Sequence, residues 1–207
     1  MIFTSDDAQT LYQIMQWRRD VRHFRSDPVA PDLIDKLAAS MDMAPSVGNC
    51  RPWRVMRVQD TDIRSRIVDL FTQSNAAAAA AYPDADRDAY LALKLAGLTE
   101  APEHLAVFSV PDPAEGRGLG RQTMPETVVY SPVMAMYALW LTARAENLGL
   151  GWVSILDPQA AAAVLDPPQG WQFVGYLCLG YAEFADDVPL LHRSGWQANT
   201  VQPWLVR

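Results

Sequence analysis

Arg18-Arg19-Asp20-Val21-Arg22-His23-Phe24 places three guanidinium groups and one carboxylate within five residues, directly after a segment of helical periodicity. Guanidinium groups fork onto phosphate or carboxylate oxygens, so the stretch reads as an anion-binding segment. Asp20 lies close enough to orient an arginine or to act on a proton. Adjacent opposite charges on a surface are also ordinary and worth little, which leaves a helix-end cluster with internal ion pairs as the plainer alternative. Upstream, Ser5 is an N-cap type, and Leu11, Ile14 and Met15 form one apolar stripe expected to be buried.

Working outward, Pro31 opens a second helix with Ile34, Leu37, Ala38 and Met41 at helical spacing, and Pro45 stops it. Turn formers fill Pro45-Ser46-Val47-Gly48-Asn49-Cys50-Arg51-Pro52, and Trp53 to Val58 alternates as a strand. Ile63, Ile67, Leu70 and Phe71 mark a third helix. The run Ala76 to Ala81 and a helix from Asp84 to Leu98 follow, together read as a mobile excursion because alanine offers little apolar area for packing. His104 to Val110 is an apolar strand. The glycine-rich stretch from Asp112 to Pro125 has no periodicity and reads as a functional or disordered loop. Glu126 to Leu148 is the longest helix, with Gly149 as its C-cap, and it is apolar enough to serve both the core and a second copy of the chain. Trp152 to Leu156 and Phe173 to Tyr181 are the last strands, separated by a short helix from Pro158. The tail from Ala182 carries Trp196 and Trp204 and is expected to lie across a neighbouring surface, such as that of a second copy.

The bulk properties narrow the function. The 207 residues are 50% hydrophobic, sufficient for one real core with at most an excursion. A net charge of −7 argues against a sequence-independent grip on nucleic acid and favours a small-molecule protein. Cys50 and Cys178 cannot build a disulfide framework or a four-cysteine zinc site, and His23, His104 and His192 are dispersed with no paired metal spacing. The N-terminus turns acidic at once and no apolar run reaches the roughly 18 residues of a membrane span, so a soluble cytoplasmic protein is expected.

Ser154 interrupts its apolar strand, where an unpaired hydroxyl costs about 1–3 kcal/mol. It is therefore either bonded to backbone in the core or functional. Ser46 and Asn49, as loop residues, mean nothing alone. Gly116, Gly118 and Gly120 do not form a dinucleotide fingerprint, because prolines intervene and the third glycine comes too early. Neither a GxSxG elbow nor a Ser, His and Asp constellation is evident.

The arginine segment, Ala44 to Arg54, and Gly149-Leu150-Gly151-Trp152-Val153-Ser154-Ile155-Leu156 resemble the nitroreductase-like flavoproteins. Gly118-Leu119-Gly120-Arg121-Gln122-Thr123-Met124-Pro125-Glu126, Leu177 to Tyr181 and Gly195-Trp196 extend the resemblance over nearly the whole chain and point to the branch that makes 5,6-dimethylbenzimidazole. That resemblance implies an α+β three-layer fold with a mixed, mostly antiparallel sheet flanked by helices, in a homodimer with FMN at the subunit interface. It implies a single domain over 1–207 with a lid at about 76–98. It also implies oxygen-dependent fragmentation of reduced FMN to 5,6-dimethylbenzimidazole and erythrose 4-phosphate, the FMN being reduced by a separate NAD(P)H-dependent flavin reductase. By the same resemblance Arg18, Arg19, Asp20, Val21, Arg22, Ser46, Leu95 and Ser154 contact FMN. Asp20 and Ser154 are the catalytic pair, Asp20 promoting fragmentation and Ser154 orienting the oxygen-bearing intermediate. The lid, aided by the 112–124 loop, would keep the site dry. Two departures stand out: Arg51 where glutamine is expected, and Pro132 in the first turns of the long helix, which suggests a later helix start. The rival readings are a conventional NAD(P)H-dependent FMN nitroreductase or flavin reductase, and a non-catalytic flavin carrier.

Overall fold

Four short apolar segments build the sheet: β1 (Trp53–Arg57), β2 (Glu103–Ser109), β3 (Gly149–Val153) and β4 (Gln172–Gly180), in the order β1-β2-β4-β3 with every pair antiparallel. The computed structural model describes residues 1–93 and 96–207. All of β2 and the last part of β4 are buried, so the sheet is covered on both faces. On one face α2 (Pro31–Met41) and α5 (Thr127–Ala145) bring Leu37, Met41, Met136 and Leu139 onto Leu105, Val107, Leu177 and Leu179. On the other, α3 (Thr61–Ala81) and α6 (Pro158–Leu165) bring Ile67, Ala161 and Leu165 onto Ala106, Phe108, Tyr176 and Cys178. The outcome is helix, sheet, helix, an α+β three-layer fold. α1 (Ser5–Trp17) lies against α5, α4 (Asp84–Leu91) against α3, and α7 (Leu190–Arg193) belongs to the C-terminal segment. Among the described residues no helix is long and apolar enough to cross a membrane.

Several local expectations change. Thr4, not Ser5, caps α1, because Asp7 stands three residues on and closes a capping box with it, whereas a Ser5 cap would meet Ala8 there. The Leu11, Ile14 and Met15 stripe is not buried: Leu11 is 50% exposed and the other two are half-buried, since among the described helices and strands only α5 backs this helix. The alanine run completes α3 as continuous helix, and α4 ends at Leu91 rather than Leu98. Farther on, Gly97 sits against the Phe24 ring, where an added Cβ would come within 2.5 Å. α5 starts at Thr127 and includes Pro132, so the proline does not delay it. Its end is made by Asn147 at φ 60 rather than by Gly149, which belongs to β3. β3 in turn stops at Val153. The Trp152 indole lies over Gly175, the residue opposite which Ser154 would pair, and Ser154 is exposed.

His104 is a packing histidine with a consequence for stability. It is 1% exposed, with Nε2 3.2 Å from the Ala101 carbonyl and Nδ1 3.0 Å from the Tyr176 hydroxyl. A neutral ring satisfies both, with Nε2–H donating to the carbonyl and Nδ1 accepting from the hydroxyl. Burial, helped by the Arg64 cation, pushes its pKa down to about 4. The unfolded chain therefore takes up this proton first, near pH 6.5. The stability contributed is complete above that value and is lost as pH falls toward 4, about 3 kcal/mol in all. Denaturant melts at pH 7 and about pH 4.5 should show this slope, and His104→Phe should flatten it; an unchanged slope in the variant would assign the acid sensitivity elsewhere.

Candidate functional site

The arginine segment is stitched across one end of the sheet. Arg18 leaves α1 in extended conformation, and the Val21 N–H donates to the Leu150 carbonyl at 3.1 Å, forming with the Asp20–Leu150 bridge a parallel addition to β3. This approach requires glycine on the strand: a Cβ on Gly151 would lie 2.2 Å from the Val21 carbonyl oxygen, and one on Gly149 2.8 Å from Val21 Cγ2. Phe24 then bridges to Ala182, the Arg25 N–H donates to the Tyr181 carbonyl at 2.9 Å, and the Phe24 side chain is buried.

Each charged side chain on the segment has a defined task. The Trp152 N–H donates to Asp20 Oδ1 at 2.9 Å, and Arg22 Nε donates to Oδ2 at 3.2 Å. Arg19 donates to the Gln16 carbonyl, one of the acceptors left open at the end of α1. The Arg18 guanidinium lies over the Trp140 ring, 4.9 Å from its centroid. The Nε atoms of both Arg18 and Arg19 are nonetheless buried without a hydrogen-bond partner. Burial first, then the neighbouring Arg18 cation, pushes the Arg19 pKa below its ordinary value. Two crowded, incompletely bonded cations are the electrostatic complement of an anion.

These residues line a cleft of about 270 Å³, closed on its far side by the segment Phe184 to Arg193. That segment adds the apolar Val188, Pro189, Leu190 and Leu191, and it adds another cation, Arg193, paired with Asp186. His23 also faces the cleft, its Nδ1 3.8 Å from Glu183 and 3.9 Å from Glu100. Arg193 was not among the residues read from the sequence, although it lies two positions before the Gly195-Trp196 pair; nothing local distinguishes it from a surface arginine. Trp140 reads in sequence only as one of the apolar residues of the long helix that serves the core and a second copy.

The expected site residues divide. Arg18, Arg19, Asp20, Val21 and Arg22 come together on one wall. Ser154 is not on that wall and is not buried in a strand: it follows β3, two residues after the Trp152 that holds Asp20. Ser46 is elsewhere again. Its hydroxyl accepts from the Arg51 N–H at 3.0 Å, and the next residue, Val47, donates to Ser131 Oγ near the start of α5. Ser131 and Trp140 are nine residues apart on that helix, about 13 Å. The 46–50 loop rests on the glycine-rich loop, where a Cβ on Gly116 would come within 2.7 Å of the Gly48 carbonyl oxygen. Leu95 lies outside the described residues.

Residues 15–181 match the nitroreductase family. The chain is 52% identical over 204 residues to a 5,6-dimethylbenzimidazole synthase of Rhodobacter capsulatus, covering 99% of each. It is 53% identical over 202 residues to that of Rhodospirillum rubrum, covering 98% of this chain and 96% of the other. Among solved structures, oxidised iodotyrosine deiodinase bound to FMN and 3-iodo-L-tyrosine superposes with a TM-score of 0.74 at 19% identity, over 95% of this chain and 97% of that one. A nitroreductase-like protein from Streptococcus mutans does so with 0.65 at 18% identity, over 86% and 91%. At such identities the likeness is one of fold.

Proposed function

The chain belongs to the nitroreductase family, and from its 52% and 53% identity to two 5,6-dimethylbenzimidazole synthases over nearly its whole length we propose that it performs their reaction: oxygen-dependent fragmentation of reduced FMN to 5,6-dimethylbenzimidazole, the lower ligand of vitamin B12, and erythrose 4-phosphate. The supporting observation in the structure is the pair of buried, unpartnered guanidinium nitrogens of Arg18 and Arg19 in a cleft that also holds Arg22 and Arg193. FMN has two features that suit these cations, a phosphate dianion and a pyrimidine edge that gains negative charge on reduction. Reduced FMN, when bound, supplies both the electrons that oxygen accepts and the carbon of both products.

The protein's part is to bind, to exclude water and to move protons. Arg18, Arg19, Arg22 and Arg193 hold the anionic groups, and Val21 presents its backbone beside them. Asp20 is tied at Oδ1 to the Trp152 N–H and at Oδ2 to Arg22 Nε, which fixes the carboxylate on the cleft wall, and the second lone pair of Oδ2 takes up and returns a proton. Ser154, exposed just beyond β3, offers a hydroxyl that can relay the same proton. A homodimer completes the site. The cleft falls just under the roughly 300–1,000 Å³ of a small-molecule pocket, and α5 leaves Val129, Tyr130, Val133, Met134 and Tyr137 exposed on one side. A second copy covering that face would bring its own Ser46 loop and its tail, where Trp204 and Val206 are exposed, into reach; sedimentation as a monomer would remove this part. The part of the 76–98 segment around α4 is the lid, and Tyr82, Tyr90 and Trp196 pack together where it meets the C-terminal segment. Electrons come from a separate NAD(P)H-dependent flavin reductase, in the cytoplasm.

The test is to incubate the protein with FMN, a flavin reductase, NADH and air, and to measure 5,6-dimethylbenzimidazole by mass spectrometry. Product is expected with the wild type. Bound FMN recovered intact, with steady NADH oxidation in the absence of the added reductase, would instead indicate a conventional flavin reductase. In the same assay Ser154→Ala should still oxidise reduced FMN while product falls at least about tenfold, the loss of a proton relay. An unchanged yield would take Ser154 out of the chemistry.

A further inference from the structure

We propose that Trp140, on α5, is a positioning residue that fixes Arg18 and Arg19 for their ligand, an inference that rests on reading the arginine cleft as the FMN site. Residues 18–24 form no strand or helix of their own beyond two isolated bridges, at Asp20 and Phe24. Both bridges lie after the two leading arginines; ahead of them the Arg18 N–H donates to the Ile14 carbonyl and the Arg19 guanidinium to the Gln16 carbonyl, which restrains neither the Arg18 side chain nor the Arg19 carbonyl. The Trp140 indole supplies the missing restraint twice over. Its ring face carries the Arg18 guanidinium at 4.9 Å, and its Nε1–H donates to the Arg19 carbonyl at 3.1 Å. Trp140 is itself half-buried against the core cluster of α5, β2 and β4, so the restraint comes from a rigid layer of the fold.

The chemistry suits an anion site. A guanidinium held over an aromatic face keeps N–H groups free for another acceptor, whereas one paired to a carboxylate spends them. That agrees with Arg18 Nε being buried and without a partner, in contrast to Arg22, which donates to Asp20. The N–H bond to the Arg19 carbonyl fixes the Arg19–Asp20 peptide, from which the Arg19 side chain departs, while the ring face holds the Arg18 guanidinium directly. An aliphatic residue of similar bulk would fill the same volume and give neither restraint.

The experiment is an FMN titration followed by flavin fluorescence, with no turnover required, on wild type, Trp140→Phe and Trp140→Leu in wild-type and Arg18→Met backgrounds. Trp140→Phe keeps the ring face and loses the N–H, and should weaken FMN binding about threefold. Trp140→Leu loses both and should weaken it about tenfold or more. In the Arg18→Met background, the Trp140→Phe and Trp140→Leu affinities should differ by less than twofold, because the ring face then has no cation to carry. Equal Phe and Leu affinities in the wild-type background, or an undiminished difference in the Arg18→Met background, would overturn the proposal and leave Trp140 a packing residue. Trp140→Phe guards against a Leu variant that does not fold, since a wild-type affinity in it would remove the N–H restraint. Failure of the wild type itself to bind FMN would count against the reading of the cleft, a result separate from any of these.

Discussion

Asp20→Asn should lose at least about a hundredfold of 5,6-dimethylbenzimidazole formation, the scale of a missing general acid or base, while its affinity for FMN changes by only a few-fold. The asymmetry follows from what the two carboxylate oxygens do. An asparagine oxygen can replace Oδ1 as acceptor of the Trp152 N–H, so the segment stays docked on β3. The amide nitrogen then faces Arg22 Nε, donor against donor, and the 3.2 Å pair is lost. Arg22 retains its charge for the ligand, but no group at this position can take up a proton. Mass spectrometry of the product and fluorescence titration of FMN on the same preparation separate the two effects. Wild-type yield with normal FMN binding would remove Asp20 from the chemistry; loss of both in parallel would make it a purely structural residue.

Gly151→Ala is expected to damage the site from the opposite side of the same contact. The new methyl would sit 2.2 Å from the Val21 carbonyl oxygen, and because that atom is backbone, no side-chain rotation relieves the overlap. Either β3 shifts within the sheet or the arginine segment lifts away, breaking the Val21 to Leu150 and Trp152 to Asp20 hydrogen bonds. Overpacking of this kind costs about 3 kcal/mol or somewhat less, roughly a 6–12 °C fall in melting temperature for a chain of this size. FMN affinity should fall at least about tenfold, since the cations lose their common anchor. Gly149→Ala should be milder, because its closest contact, at 2.8 Å, is a Val21 methyl, and the Val21 Cβ, which rotation does not move, lies farther off at 3.1 Å. Calorimetry and FMN titration of both variants test the ranking, and equal FMN affinities for Gly151→Ala and wild type would show that the segment does not depend on this docking.

Much of the architecture was legible because it depends on local periodicity. The spacing of Ile34, Leu37 and Met41 and the alternation from Trp53 each place a helix or strand within a few residues of where it lies, since burial of one face is all that such a pattern has to specify. The clustering of Arg18, Arg19 and Arg22 around Asp20 was legible for the same reason: adjacency in the chain becomes adjacency in space. Boundaries set by a competing contact were not. Ser5 lost its cap to Thr4 because of Asp7, and Ser154 left its strand where the Trp152 indole covers Gly175. The α1 stripe reads as core but is partly exposed, because periodicity marks an apolar face without saying whether its cover comes from the same chain.

By itself, then, the sequence determined the succession of helices and strands and the charge of the segment from Arg18 to Arg22, both properties of residues near one another in the chain. The tertiary structure alone decided that Arg193 joins those arginines from the far end of the chain, that Trp140 lies under Arg18, and that Ser46 stands apart from them. It also decided why Gly151 must be glycine. Such pairings depend on which edges and faces meet when the sheet closes against its helices, and a one-dimensional pattern of polar and apolar residues carries no record of that approach.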